Sequence, residues 1–291
     1  MTDGLRDIAA SVRQQLMNRR QATGEEYNVL LIQYAVERFL YRLSRSDLAD
    51  RFVLKGAMLF RVWGGGLHRP TRDLDLLGYG DPSPDAVAGA IRHVLAAPVA
   101  DDGLRFDADA LAAEGIRDGQ EYGGVRVKLV AMLGTARIPM QIDVGFGDAV
   151  TPKAGVGAYP TLLDMEAPHL LMYPPQTVVA EKLHAAVALG MTNSRMKDYY
   201  DLLVICRAHT LSDTTLAQAI AATFRHRGTP LPQDVPPGLS DEFGTDQVAQ
   251  RLWRGLLQRL RIQDAPSDFA TVVKTVRDRL WPAMVLARGR S

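Results

Sequence analysis

Hydrophobic and polar positions follow two different periods along the chain. In the first half, short stretches alternate every second residue, which is typical of half-buried strands. In the second half, apolar residues recur every three or four positions, which is typical of amphipathic helices. The pattern predicts strands at 52–54, 71–77, 122–132 and 138–144, is ambiguous at 104–116 with a strand as one option, and predicts helices at 5–20, 26–45, 57–63, 85–97, 176–190, 196–208, 213–226, 245–261 and 268–287.

A loop rich in glycine and proline separates the two patterns. It covers residues 145–175 and ends in the pair Pro174-Pro175. Because proline and glycine interrupt regular elements, this loop is the best place for a domain boundary. The sequence therefore predicts a mixed α/β (α+β) domain over residues 1–165 and a helical domain over residues 166–291.

Composition narrows the class of protein without naming a function. The chain has 291 residues, 47% of them hydrophobic and 23% charged, as in a globular protein. A net charge of +1 gives no overall attraction to nucleic acid, so any basic surface must be local. The single cysteine, Cys206, excludes a disulfide framework and favours a reducing, cytoplasmic setting. We find no signal peptide and no apolar run long enough for a membrane span, so no membrane partner is expected.

The predicted strand at 71–77 carries the first candidate chemistry. Side chains of a strand alternate between its faces, so Thr71, Asp73 and Asp75 point the same way. Carboxylates roughly 6.6 Å apart repel each other unless a cation lies between them, and Mg²⁺ is a natural occupant. Asp143 on a later strand offers a third carboxylate. The alternative is that all three are solvated strand charges, but their sequence context favours the metal site.

Gly56 is the second candidate, because it lies between a short apolar strand and a predicted helix. A glycine at the head of a helix exposes backbone N–H groups that can hold a phosphate. With Asp73 and Asp75 on the next strand, this order of elements predicts a site for a phosphorylated substrate.

Two predicted helices of the second half carry further candidates. Lys182 falls within the apolar arc of its helix, where an amine needs an anion or must extend its tip to water. Asp198 borders the apolar stripe of the next helix, and Lys182 or Arg195 is a suitable partner for it. A phosphate site favours Lys182 as a contact to triphosphate, and Asp198 is then a general base or orients Lys182. The alternative for Asp198 is a stabilising charge at a helix start.

Several short motifs, taken together, resemble the AbiEii/AbiGii family of nucleotidyltransferase toxins, which includes the mycobacterial MenT-type proteins. The resemblance covers about Val53 to Leu203, and the order and spacing of the motifs make it more specific than any one of them. The motifs are Lys55-Gly56, Arg69-Pro70-Thr71-x-Asp73-x-Asp75, Ile142-Asp143-Val144-Gly145-Phe146-Gly147, Glu181-Lys182-Leu183 and Arg195-x-Lys197-Asp198-x-x-Asp201.

The resemblance implies a fold, an activity and partners. The implied fold is a polymerase-β-like nucleotidyltransferase core joined to a helical domain. The implied activity is transfer of a nucleotide from an NTP, with Mg²⁺ or Mn²⁺, to an RNA acceptor. In MenT-type members that acceptor is the 3′ end of tRNA, and its modification blocks translation. A separately encoded antitoxin is the other implied partner.

The resemblance also assigns roles by motif. Thr71 and Asp73 match the family's Ser/Thr-x-Asp, Asp75 matches the second acid, Lys182 the active-site lysine and Asp198 the acid that follows it. In some members of the family this hydroxyl is phosphorylated, and the resemblance therefore makes Thr71 a possible regulatory position as well.

One departure from the broader superfamily concerns phosphate binding. Ala57 stands where the superfamily has a serine after the glycine, and a phosphate-binding hydroxyl is absent. We therefore expect the nucleotide to be held by Lys55, Arg69 and Lys182, by the backbone at Gly56, and by Arg195 as a further contact.

Three other readings stay open at this point. A sugar-nucleotide glycosyltransferase also uses Asp-x-Asp to hold a metal, although the helical second half argues against it. A small-molecule nucleotidyltransferase of the antibiotic-modifying kind would use the same core. An inactive binding module would keep the fold without binding NTP.

Overall fold

The computed structural model describes residues 7–64, 71, 73–116 and 123–289. The chain forms two compact units: residues 1–147 with 155–172, and residues 148–154 with 173–291. The division after Met172 lies slightly later than the predicted boundary at 165/166, because a short strand ending at Met172 still belongs to the sheet of the first unit.

The first unit is built on a mixed seven-stranded sheet with the strand order β3-β4-β5-β2-β1-β7-β6. Strand β2 pairs parallel with β5 and antiparallel with β1, so it lies in the interior of the sheet. The strands are β1 (Phe52–Lys55), β2 (Asp73–Gly78), β3 (Leu104–Ile116), β4 (Gly124–Leu133), β5 (Ala136–Phe146), β6 (Gly155–Ala158) and β7 (His169–Met172).

The two faces of this sheet differ sharply in polarity. Leu74, Leu76, Ile142 and Val144 are fully buried on one face. The alternate positions Asp73 and Asp75 of β2 and Gln141 and Asp143 of β5 carry polar side chains, as the period of two in the sequence predicts, whereas Leu77 further along β2 is buried. The buried face fixes the register, because a slip of one residue would turn the apolar set towards water.

Four α-helices complete the described part of the first unit. Helix α2 is buried over most of its length and packs on β5 and on β7. It carries charge into the core: the guanidinium of Arg42 donates two hydrogen bonds to Asp102, at 2.6 and 3.0 Å. The helices are α1 (Ile8–Thr23), α2 (Tyr27–Arg45), α3 (Leu59–Gly64) and α4 (Pro84–Leu95).

The second unit contains helices only, among the residues described. Helix α5 packs against α7 and α6, and α10 packs against α7, α8 and α6. The core of the second unit includes a cluster of aromatic rings from Tyr199, Phe243, Trp253 and Phe269. The helices are α5 (Pro175–Leu189), α6 (Met196–Ala208), α7 (Asp213–His226), α8 (Asp241–Thr245), α9 (Gln247–Leu260) and α10 (Phe269–Arg288).

The structure corrects two of the predicted elements. The predicted loop 145–175 contains β6 and β7, which are only four residues long and lie among glycines and prolines. The predicted helix at 57–63 is a 3-10 turn, Gly56–Met58, followed by the short helix α3. Within the described ranges, no helix is long and apolar enough to cross a membrane.

Candidate functional site

Asp73 and Asp75 lie on the polar face of β2, as predicted. Asp73 is exposed and Asp75 is half-buried, whereas Leu74 between them is fully buried. Across the sheet, Asp75 is directly opposite Lys55 on β1 and Asp143 on β5. Residues in register on paired strands share a face, so one row of charged side chains crosses three strands.

Gly56 lies directly against Asp75, which gives this glycine a structural reason that the sequence did not reveal. Its φ of 73° is in the left-handed region. A Cβ atom at this position would lie 2.1 Å from Oδ2 of Asp75. A side chain at this position would be strained by the backbone conformation and would collide with Asp75. Only glycine therefore lets the carboxylate of Asp75, on β2, lie against the end of β1. The predicted role of Gly56 in holding phosphate through N–H groups stays a prediction.

Asp143 is bound by an arginine of the neighbouring strand. Arg126 on β4 is opposite Asp143 in register. Its Nε and Nη2 atoms donate hydrogen bonds of 2.9 and 2.7 Å to the two carboxylate oxygens. Gln141 donates a third bond, of 3.2 Å, to the same carboxylate. Alternation along the predicted strand 122–132 places Arg126 at a polar position and no more, because periodicity does not reveal which strands pair.

Thr71 and Arg69 belong to the segment before β2. The hydroxyl of Thr71 lies 3.4 Å from the backbone carbonyl oxygen of Asp73. Arg69 lies outside the described residues, and its predicted contact to nucleotide stays a prediction.

A cavity of about 460 Å³ lies beside Asp73. Its polar wall includes Lys128, Gln141 and Arg137. Cavities of this volume accommodate small ligands. The exposed carboxylate of Asp73 therefore borders enough space for a small molecule, although most of the other lining residues are apolar.

The three acids do not form a ready metal site as they stand. Within the described part of the chain, no three His, Cys, Asp or Glu side chains come together in a way that would hold a metal ion. Mg²⁺, however, commonly binds one or two carboxylates together with water and substrate phosphates. Asp73 and Asp75 alone fit that set, whereas Asp143 would have to release Arg126 to join them.

The second unit holds a separate buried ion cluster around Lys182. The Nζ atom of Lys182, on α5, lies 2.7 Å from Oδ1 of Asp198 and 2.9 Å from Oδ2 of Asp201, both on α6. Nε of Arg195 lies 2.7 Å from the other oxygen of Asp198. The predicted pairing of Asp198 with Lys182 or Arg195 is therefore confirmed, and both cations take part.

The charge state of Lys182 follows from this cluster. Burial alone would lower the pKa of the amine, but the charges of Asp201 and Asp198 outweigh it and raise the pKa above its ordinary value. Lys182 is therefore a protonated amine whose cationic form is held by two carboxylates.

Helical periodicity predicts that Asp201 and His184 lie towards water, on the outer faces of α6 and α5, and both predictions are wrong. Asp201, expected to lie towards water, is fully buried against Lys182. His184, expected on the outer face of α5, is buried and lies 2.8 Å from Oγ1 of Thr229. The connector between α7 and α8 supplies Thr229, and a contact of this kind has no signature in helical periodicity. The spacing of three residues between Asp198 and Asp201 was the available signal for their shared face.

The predicted site residues thus fall into two groups, one in each unit. Lys55, Gly56, Asp73, Asp75 and Asp143 adjoin one another in the sheet. Lys182, Arg195 and Asp198 form the cluster of the helical unit. That both groups act on one substrate stays a prediction.

The mixed sheet with its interior pair of aspartates, together with a helical second unit, confirms the predicted fold class, an α+β nucleotidyltransferase core with a helical C-terminal region. The chain belongs to the family described as nucleotidyl transferase AbiEii toxin of type IV toxin–antitoxin systems, whose model matches residues 38–275. A separate antitoxin partner is implied by that system.

Two solved structures from Helicobacter pylori are similar to this chain. The protein JHP933 shares 15% identity at a TM-score of 0.48, covering 89% of this chain and 93% of its own. A protein that carries a provisional description as a nucleotidyltransferase shares 16% identity at a TM-score of 0.46, covering 89% of this chain and 96% of its own. Among the curated proteins, none matches the sequence.

Proposed function

We propose that this toxin-family nucleotidyltransferase transfers NMP from an NTP to an RNA acceptor, the 3′ end of tRNA, and thereby blocks translation. The observation that carries the proposal is the placement of Asp73 and Asp75 on the polar face of β2, over a fully buried opposite face. A site for metal and phosphate needs carboxylates held on a rigid element, and an interior strand provides it.

In this proposal Asp73 and Asp75 hold Mg²⁺ or Mn²⁺. Bound there, the metal would neutralise charge on the triphosphate and on the departing pyrophosphate. Lys55, opposite Asp75 in register, contacts the phosphates, and Gly56 beside it leaves room for the carboxylate of Asp75. Arg69 and Thr71, in the segment before β2, are further contacts to the nucleotide, and Thr71 is also a candidate for regulation by phosphorylation.

The helical unit supplies a cation and an acid. Lys182 is protonated and pre-positioned by two carboxylates, so it balances triphosphate charge without first having to be ordered. Asp198 orients Lys182, and Arg195, whose side chain is 60% exposed, is free enough to contact the substrate as well. Asp198 is also a candidate general base, which would accept the proton of the acceptor hydroxyl.

The chemistry is an in-line displacement at phosphorus. The 3′-hydroxyl oxygen of the acceptor forms a bond to the α-phosphorus of the NTP, and the bond from that phosphorus to the bridging oxygen breaks. The hydroxyl proton goes to a base, and pyrophosphate leaves with the electron pair. Positioning and electrostatic stabilisation supply most of the rate in phosphoryl transfer.

The test is incubation of the purified protein with each labelled NTP, Mg²⁺ and total tRNA. We expect label on tRNA with the wild type and a decrease of about a hundredfold or more with Asp73→Asn. Asp109→Asn is the matched control, because Asp109 is an exposed aspartate of β3 in the same sheet. Lys182→Ala should also fail to label.

The outcomes separate the proposal from its rivals. If Asp73→Asn and Lys182→Ala label tRNA as well as the wild type does, the site is wrong. Label on an aminoglycoside and none on tRNA would identify a small-molecule nucleotidyltransferase. A calorimetric titration with NTP and Mg²⁺ that shows no binding would identify an inactive module.

A further inference from the structure

The ion pair between Arg126 and Asp143 occupies a prominent place on the polar face of the sheet. Arg126 presents Nε and Nη2 to the two oxygens of Asp143, at 2.9 and 2.7 Å. This is the planar, two-bond geometry that arginine forms best with a carboxylate. The third hydrogen bond, from Gln141, holds the carboxylate in the same place. The carboxylate of Asp143 is therefore held by Arg126 through two strong, charge-assisted hydrogen bonds.

The register of the sheet places this pair beside the proposed site. Arg126 is opposite Asp143, and Asp143 is opposite Asp75. Neighbouring strands lie about 4.8 Å apart, so Arg126 starts from a backbone position roughly 10 Å from that of Asp75 on the same face. Asp73 is close enough for its charge to help raise the pKa of Arg126, together with the stronger contribution of the hydrogen bonds to Asp143.

The guanidinium keeps donors available. Its bonds to Asp143 use Nε and Nη2. Among the described residues, none accepts a hydrogen bond from Nη1. The side chain of Arg126 is 36% exposed, against 20% for Asp143. A fixed, partly exposed guanidinium with spare donors is suited to an anion whose oxygens lie in one plane with it, such as phosphate.

We propose that Arg126 is a phosphate-binding residue of the site on β2, and that Asp143 positions Arg126 and is not a metal ligand. The inference rests on the proposed function, because the phosphate belongs to the substrate bound at Asp73 and Asp75. That phosphate comes either from the NTP or from the RNA acceptor, and the chemistry of recognition is the same for both. Lys55 on β1 and Arg126 on β4 then flank the acidic pair from opposite sides.

The experiment measures binding and not turnover, on the full chain. Nucleotide affinity is measured by calorimetry in EDTA, affinity for a short RNA with a free 3′ end by fluorescence anisotropy in EDTA, and Mn²⁺ affinity by electron paramagnetic resonance without nucleotide. We compare wild type, Arg126→Gln, Arg126→Lys and Asp143→Asn. Arg105→Gln is the matched control, because Arg105 is an exposed arginine of β3 opposite Met132, about 20 Å along β4 from Arg126.

We expect Arg126→Gln to weaken NTP or RNA binding about tenfold or more, and the arm that weakens identifies the source of the phosphate. Arg126→Lys should lose affinity in the same arm, because an amine cannot bond Asp143 and a phosphate in one plane. Asp143→Asn should weaken the same arm to a smaller extent and leave Mn²⁺ affinity unchanged. Arg105→Gln should change neither.

A second variant guards against simple misfolding. Arg126→Gln alone leaves a carboxylate in the sheet without its guanidinium, whereas Arg126→Gln with Asp143→Asn replaces the ion pair by a neutral pair that can still hydrogen-bond. We expect the double variant to keep the wild-type circular dichroism and the weakened binding of Arg126→Gln.

Three results would overturn the inference. Unchanged NTP and RNA affinity in both the single and the double variant would make the pair purely structural. A loss of Mn²⁺ affinity in Asp143→Asn, with metal-free NTP and RNA affinity intact, would make Asp143 a metal ligand. Absence of both RNA binding and NTP binding by the wild type, with Mg²⁺ present in the NTP titration, would instead show that the proposed function has failed, and the inference with it.

Discussion

Single residues in this protein have roles that depend on one neighbour. Gly56 adopts a φ of 73° and lies so close to Asp75 that a Cβ atom would meet the carboxylate. The backbone at Gly56 limits the positions that the carboxylate of Asp75 can occupy. The glycine therefore acts on the candidate site through space and conformation, apart from any contact it makes to substrate.

Replacement of Gly56 by alanine tests this role. We expect the free energy of unfolding to fall by at least ~1–2 kcal/mol from the left-handed backbone alone. Asp75 must also move, so Mn²⁺ binding should weaken together with stability. Denaturant titration and metal binding measure the two effects. Gly89→Ala is the control, because Gly89 is exposed within α4 with no atom near its Cβ position, and it should gain ~0.5–1 kcal/mol.

A Gly56→Ala variant with full stability and wild-type metal affinity would show that the turn can relax. In that case Asp75 is not held by Gly56, and the structural reason given for this glycine is wrong.

Pairs of elements decide which charges can be buried. Helix α5 contributes Lys182 to its contact with α6, and α6 contributes Asp198 and Asp201, which are three residues apart. An amine and a fully buried carboxylate are stable there only because each offsets the desolvation of the other. The cluster therefore has a structural role in the contact between these two helices, apart from any role of Lys182 in binding substrate.

A double-mutant cycle separates the structural role of Lys182 from its proposed catalytic role. Lys182→Met removes the cation 2.9 Å from buried Asp201 and should lower the free energy of unfolding by about 3–5 kcal/mol. Adding Asp201→Asn removes the buried negative charge and should restore a large part of that loss. Urea denaturation of both single variants and the double variant measures the coupling.

The same variants then serve as a test of activity. A double variant that is folded but does not label tRNA would support a direct role for Lys182. Additivity within about 0.5 kcal/mol would contradict the coupling between the two helices.

Over the whole molecule, buried titratable groups in the two units respond to pH in opposite directions. Glu37 of α2 is 1% exposed, and burial raises its pKa to about 7, although the Leu162 N–H group and Arg38 oppose the shift. Burial lowers the pKa of His184 in the helical unit to about 4, and Arg227 adds to the shift. Glu37 favours the protonated form in the native state, whereas His184 favours the neutral form.

The signs follow from proton linkage. Between pH 4.5 and 7 the native state binds a proton at Glu37 that the unfolded chain has released, so the free energy of unfolding falls as pH rises, by up to about 3 kcal/mol. Between pH 4 and 6.5 the unfolded chain binds the proton at His184, so stability rises with pH. The two contributions oppose each other where their ranges overlap.

Two substitutions should expose these opposite contributions. Relative to wild type, Glu37→Gln should become progressively more stable as pH rises from 4.5 to 7, and His184→Gln progressively less stable from 4 to 6.5. Urea denaturation at a series of pH values measures both differences. Flat differences for both variants would mean that neither side chain changes its proton affinity on folding.

Much of the fold was predictable because local periodicity reports local burial. The long helices and strands β4 and β5 follow it closely, and the polar positions Asp73 and Asp75 of β2 were predicted correctly from alternation alone. The segment of β3 was ambiguous, because its register with β4 shifts between Asp107 and Ala112 and its pattern of burial is irregular. The short strands β6 and β7 were not predictable. Four residues among glycines and prolines carry too little pattern, and their pairing is decided by distant segments.

The sequence by itself determined the fold class, the two-part organisation, the family and the facing of Asp73 and Asp75, because these depend on period and on motif order. Only the tertiary structure decided that Arg126 binds Asp143, that Asp201 joins Lys182, and that Gly56 makes room for Asp75. Each of these depends on the register between strands or on the contact between helices. A charged side chain can be buried only where a partner offsets its desolvation, and the packing of the folded molecule determines which partner is within reach.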